Sequence, residues 1–174
     1  MKVLIDRQGP VTRLTLNEPL RRNPLSLAMM DELAAALSSL QPDTQVVVIG
    51  GAGPAFSAGH DLTEMVGADE GAIARLFDSC TRMMEVIQEI PQPVIARVHG
   101  VAAAAGCQLV ASCDLVVAAE SSRFSTPGVK IGLFCSTPMV PVSRAVGRKR
   151  ALEMLLTGEP IDARTAADWG LVNR

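Results

Sequence analysis

The opening stretch "MKVLIDRQGPVTRLTLNEP" alternates apolar and polar positions around a Gly9-Pro10 break, and this period of two predicts a hairpin of two strands. Beyond it the period changes. In "RRNPLSLAMMDELAAALSSL" the residues Leu27, Met30, Leu33, Ala34 and Leu37 recur at helical spacing, and Ser26 stands where a side-chain oxygen caps a first turn. "QVVVIGG" is a short β-branched run closed by glycine, the pattern of a parallel strand buried on both faces. The pattern then returns. A helix is expected from about Asp69 to Ile90, then a strand in "PQPVIARVHG" begun by Pro93 and stopped by Gly100. A short helix from Cys107 to Ser112 leads into "DLVVAAE", and "SSRFSTP" and one helix-like run, "TPMVPVSRAVGRKRALEMLLTG", complete it. The alternation predicts a single α/β domain over residues 1–174 with right-handed crossovers, its β-α units stacking as turns of a broad spiral.

Composition narrows the partners. A chain of 174 residues that is 48% hydrophobic can bury a core as one domain. A formal charge of −2 and a pI near 5.7 supply no basic field, so nucleic acid is not an expected partner and any anion must be gripped locally. No uninterrupted apolar run reaches the ~18 residues of a membrane span. Cys80, Cys107, Cys113 and Cys135 show neither C-x-x-C nor a metal-ligand spacing, and read as buried thiols in a reducing compartment, with no metal site. The N-terminus has neither a signal h-region nor an Arg/Ser-rich transit segment, which points to the cytoplasm.

Two segments share a design in which a strand runs out into small residues and glycine before a helix begins: "VVVIGGAGPAFSAGHDL" and "VIARVHGVAAAAGCQLV". A helix start carries unpaired N–H groups and partial positive charge. Two such starts facing each other make an oxyanion hole, with Ala58 and Ala105 as candidate donors because small residues let a carbonyl approach the backbone. The plainer alternative is a pair of tight strand-to-helix turns. "GGAGPAF" ends in neither G-x-G-x-x-G nor G-K-[ST], so it is not a phosphate loop. Ser57 lacks a G-x-S-x-G elbow and reads as a capping or hydrogen-bonding residue. Cys107 beside His99 suggests a thiol–imidazole pair, against the reading of an inert buried cysteine. His60 has an ordinary pKa suited to proton transfer, or is a loop histidine. Asp61 is an N-cap, and Glu64 either its capping-box partner or a residue facing the pocket.

Together these segments resemble the crotonase superfamily, the enoyl-CoA hydratase/isomerase family. "FSAGHDL" matches its first oxyanion motif, "PVIARVHGVAAAAGCQLVASCDLVVAAESSRFSTPGVKIG" its second motif and following strands, and "RAVGRKRALEMLLTGEPIDARTAADWGLVNR" its next helices. "VAAAAGCQLVASCDL" with "FSTPGVKIGLFCSTP" is especially similar to the subgroup known as domain-containing protein 3. The resemblance implies a crotonase-like (ClpP/crotonase) spiral of β-β-α units and a coenzyme A thioester as ligand, with no prosthetic group. It implies a thioester oxygen held by the amides of Ala58 and Ala105, with Gly59, His60 and Asp61 beside it. Arg22, with Arg21, is the nearest basic residue for CoA phosphates, and a homotrimer or hexamer is implied. Family hydratases carry two glutamates that activate water and deliver a proton; the matching positions here are Gln108 and Gly128. Neither titrates, and each acid–base group typically contributes about 10² to 10⁴-fold, so ordinary hydration is expected to be weak or absent. Family members also continue for several helices beyond the equivalent of Arg174. Two readings compete: an acyl-CoA enzyme such as a decarboxylase or isomerase using His60 or Glu64, and a non-catalytic acyl-CoA-binding or regulatory protein.

Overall fold

The computed structural model describes residues 1–174. The alternating N-terminal residues form β1 (Val3–Gln8) and β2 (Val11–Leu16), paired antiparallel with Gln8 opposite Val11. Helix α1 (Leu27–Ser38) starts where expected, the Ser26 side chain accepting from the Met29 amide at 3.2 Å. Strand β3 (Val46–Gly51) follows, then α2 (Glu70–Glu89), capped by Asp69 through the Ala72 amide at 2.7 Å. After these come β4 (Val94–Val98), β5 (Val101–Ala103), α3 (Ala105–Ser112), β6 (Leu115–Ala118) and β7 (Arg123–Ser125). The chain closes with α4 (Ser136–Val146), α5 (Arg148–Thr157), β8 (Ile161–Asp162) and α6 (Ala163–Trp169).

The strands make two sheets, of order β1-β2-β3-β4-β6 and β5-β7-β8. Successive units place one strand in the large sheet and the next in the small one before a helix returns, as in β4-β5-α3 and β6-β7-α4. An isolated parallel bridge between Ser57 and Ala102 gives the β3–α2 unit the same corner. This is the expected β-β-α spiral. Its corner at Gly100 needs a positive φ of 59°, and a side chain there would sit 3.1 Å from the Ala55 Cα, so only glycine serves.

Three details differ from the sequence reading. In β3, Val46 and Val48 are only half-buried while Val47 and Ile49 are buried, because Val47 and Ile49 face the core cluster. The C-terminal helix-like run is two helices, broken at Gly147 with φ 80° and ψ 161°. The small residues after Gly100 form β5 before α3 begins, two residues earlier than predicted. One cluster of 38 buried residues, running from Val3 to Val172, joins both sheets to the helices. No helix is long and apolar enough to cross a membrane.

Candidate functional site

The loop from Ala52 to Glu64 is tied to the segment before α1. Leu25 donates its amide to the Gly59 carbonyl at 2.8 Å, and Leu25 and His60 form a parallel bridge. Asp61 is buried and bonds the Arg21 guanidinium twice, at 2.7 and 2.8 Å, while accepting from the Thr63 amide at 3.1 Å. The guanidinium bond above all holds the Asp61 carboxyl below the usual carboxylate range. The expected cap is therefore present, over the single turn Leu62–Glu64. As a ligand contact Asp61 is corrected: its carboxylate is committed to Arg21 and does not line the cavity described below. Glu64 takes neither expected role, since its Oε2 accepts the Leu27 amide at 2.9 Å and so caps α1.

The second loop meets the first. The Ser57 amide donates to Val101 and the Ala103 amide to Ser57, at 3.1 and 3.0 Å. A side-chain carbon on Gly59, whose φ is 94°, would lie 2.8 Å from the Ala103 carbonyl oxygen and 2.9 Å from the Ala104 Cβ. The absence of side chains there lets the loops touch. Ala104 turns sharply (φ 50°, ψ −118°) into α3. Ala105 opens that helix, so its amide has no acceptor within it, and no loop carbonyl or side chain accepts from it. Beside this amide is a cavity of about 310 Å³, lined by Ala58, His60, Ala104 and Ala105 and walled by apolar side chains including Met65 and Phe77.

One of the two expected donors is already engaged. The Ala58 amide donates to the Arg22 carbonyl at 2.9 Å, while Ala58 itself faces the cavity. Arg22 thus meets the site through its main chain; it does not line the cavity, and its side chain is exposed. Gly59 is buried behind the wall, its amide donating to the Ser57 hydroxyl at 3.2 Å.

His60 lines the cavity, its ring edge-on to Phe77 with centroids 5.5 Å apart. Its Nδ1 lies 3.3 Å from the Leu25 carbonyl, which can only accept, so Nδ1 carries the proton and Nε2 is a bare lone pair, buried without a partner. Burial pushes the imidazole below its ordinary pKa, which favours the neutral form. Of the two remaining positions, one does not line the cavity and the other is closed. Gln108 faces a separate groove of about 640 Å³ between α2, α3 and α4, with its Oε1 4.0 Å from the Cys80 sulfur. Gly128 does line the cavity, but a side chain there would collide with the Leu133 carbonyl and stand 2.8 Å from the Cys135 sulfur.

The nucleophile readings fail on geometry. Ser57 is fully buried and its hydroxyl donates to the Asn23 carbonyl at 2.8 Å. Cys107 is fully buried, burial pushing its thiol up to about 12, and His99 bonds the Gly53 carbonyl instead. Sequence reasoning overlooked Asn23, the Arg21–Asp61 pair and the loop Leu133–Cys135. Only the Asn23-Pro24 dipeptide carried a local signal, that of a turn.

The family model for enoyl-CoA hydratase/isomerase matches residues 6–174. The chain belongs to the enoyl-CoA hydratase/isomerase family. Among curated relatives of this family, it is 50% identical over 173 residues to the zebrafish (Danio rerio) mitochondrial enoyl-CoA hydratase domain-containing protein 3, covering 98% of the chain and 60% of that protein. The human counterpart is 50% identical over 168 residues, covering 94% of the chain and 55% of that protein. Among solved structures, an enoyl-CoA hydratase from Mycobacterium smegmatis superposes with a TM-score of 0.97 at 50% identity, over 100% of the chain and 69% of that structure. Human enoyl-CoA hydratase domain-containing protein 3 superposes at 0.94 with 46% identity, over 99% of the chain and 69% of that structure. The fold is therefore crotonase-like, and the chain spans about 60% or less of the length of these curated family relatives. The expected cytoplasmic location is overturned, because these vertebrate relatives are mitochondrial proteins.

Proposed function

We propose that the cavity binds an acyl-CoA thioester and polarises its carbonyl with main-chain amides, without the acid–base pair that hydration requires. What carries this reading is the Ala105 amide, which has no acceptor in the chain and opens a helix at the wall of an apolar cavity. A helix start stabilises a developing oxyanion, and Ala58 joins it from its loop by sharing its hydrogen between the Arg22 carbonyl and the ligand in a three-centre bond. The Arg22 side chain, exposed and in no ion pair, is the group offered to CoA phosphates; Arg21 is held by Asp61. No prosthetic group is needed, since the amides polarise the carbonyl themselves. A homotrimer or hexamer belongs to the same reading and is read by light scattering.

Gln108 meets the Cys80 thiol and is not among the residues lining the cavity, and Gly128 has no room for a carboxylate, which favours binding or enolate chemistry over hydration. Neutral His60, with its unpartnered Nε2, favours a second reading in which it moves a proton for an isomerase or decarboxylase. Replacing Ala105 with proline tests the core claim, because proline is tolerated at the first helical position, takes away the N–H and sets its ring Cδ where that hydrogen pointed. Ala105→Pro is expected to weaken butyryl-CoA binding in a calorimetric titration and to lower any turnover by about 10² to 10³-fold. Wild-type protein that binds no CoA thioester, or an unaffected variant, overturns the proposal. Binding without product in a mass-spectrometric turnover screen selects the non-catalytic form.

A further inference from the structure

Arg22 (φ 61°) and Asn23 (φ 52°) are consecutive non-glycine residues in the left-handed region, immediately before Pro24. A residue preceding proline is crowded out of α-type conformations, and such strain persists only where the surroundings over-determine it. Here they do. Asn23 is fully buried, and its Nδ2 donates to the carbonyls of Ala52 and Ala55, both at 2.8 Å, with Phe56 at 3.2 Å sharing the two hydrogens. Its Oδ1 accepts the Glu18 amide at 2.8 Å, and its carbonyl accepts the Ser57 hydroxyl at 2.8 Å, which in turn accepts the Gly59 amide at 3.2 Å. One buried side chain and its own peptide thus reach Ala52, Ala55, Phe56 and Ser57 on the way into Ala58. One residue back, the Arg22 carbonyl takes the Ala58 amide itself at 2.9 Å.

We infer that Asn23 is the positioning residue for the Ala58 amide. Its carboxamide anchors Ala52 to Phe56, and its left-handed backbone presents the Arg22 carbonyl, so the Ala58 N–H is held in one direction beside Ala105. Asn23 touches no ligand. The inference rests on the thioester reading above for its consequence, though not for its geometry.

The test compares butyryl-CoA with S-butyl-CoA, a thioether lacking only the carbonyl oxygen, in calorimetric titrations of wild type, Asn23→Asp and Asn23→Gly. Aspartate keeps size and left-handed tolerance but turns an acceptor toward three carbonyls; glycine keeps the backbone freedom without the tether. Wild type is expected to prefer the thioester about three- to tenfold, the net worth of about one hydrogen bond. Both variants are expected to lose that preference to within about twofold while binding the thioether as before. Hydrogen exchange read by NMR should show the Ala58 amide exchanging at least about tenfold faster, with β3 and β4 amides unchanged. If the Asn23 variants do not fold, Ser57→Ala, which cuts the link from the Asn23 carbonyl to the Gly59 amide, carries the same two readouts. An unchanged preference and unchanged Ala58 exchange in a folded variant overturn the inference. So does a uniform rise in exchange across the large sheet with both ligands weakened alike, the mark of general destabilisation. If wild type shows no thioester preference, the thioester reading fails and Ala58 exchange alone decides the role of Asn23.

Discussion

On one side of the cavity, residues 52–64 are tied to residues 18–27 by directional bonds: the Asn23 carboxamide, the Arg21–Asp61 pair, Glu64 on the Leu27 amide and His60 on Leu25. On the other, the turn Pro127–Ile131 meets the loop Leu133–Cys135 through a glycine, and main chain fills the space where a side chain would project. The first wall specifies where an amide points; the second specifies that no large side chain enters at position 128. Polarising a carbonyl requires only backbone held in place, which a polar network secures whatever side chains the ligand meets. Moving a proton requires a particular titrating side chain with room to reach the reacting atom. The two walls thus make different demands, and His60, which lines the cavity from the first, is the group on which the proposed proton-moving reading turns.

The largest expected effect breaks the first wall. Gly59→Val drives a branched side chain against Ala103 and Ala104 at a positive φ, and should cost about 2–4 kcal/mol in a denaturant titration. The same variant should abolish CoA-thioester binding in calorimetry; a stable variant that still binds would show that the loop contact is dispensable.

A smaller effect isolates His60. Burial lowers its folded pKa below 6.5, so the unfolded chain takes up the proton first, and the stability His60 contributes is complete above that value and is lost as pH falls toward the folded pKa. The Asp61 carboxyl, held low mainly by Arg21, contributes in the same sense but only below its ordinary 3.8, outside that window. Wild type should therefore lose stability to urea between pH 7.5 and pH 5, and His60→Gln should lose clearly less. Parallel losses in the two proteins would mean that burial does not hold His60 neutral.

The smallest effect sharpens the second wall. Introducing Gln108→Glu with Gly128→Glu should leave crotonyl-CoA hydration at least about 10³-fold below that of a two-glutamate hydratase, because position 108 does not line the cavity and position 128 meets the Leu133 carbonyl. Near-normal hydration, measured by loss of enoyl absorbance, would show that the loop yields easily.

Much of the architecture was legible from local pattern. The hairpin, the Ser26 and Asp69 caps and the β-α alternation all depend on residues within a turn or two of each other, where periodicity and capping chemistry act. β5 was missed because Val101–Ala103 is too short and too small-residued to show a period, and it becomes a strand only by pairing with β7. The two loops of the site were legible as glycine-punctuated turns, and their contact was expected.

Their bonding was not. Asp61 read as a cap, but its partner Arg21 lies 40 residues away; Glu64 read as a capping or pocket residue, and caps a helix that begins 37 residues earlier. The sequence by itself determined most of the elements, the family motifs and the lack of carboxylates at Gln108 and Gly128, since these are properties of residue type and near spacing. Only the tertiary structure decided that the Ala58 amide is taken by Arg22, that the Ala105 amide is open beside the cavity and that Leu133 closes position 128. Hydrogen-bond partners and filled space depend on which distant segments the fold brings within about 3 Å, and no local pattern encodes that.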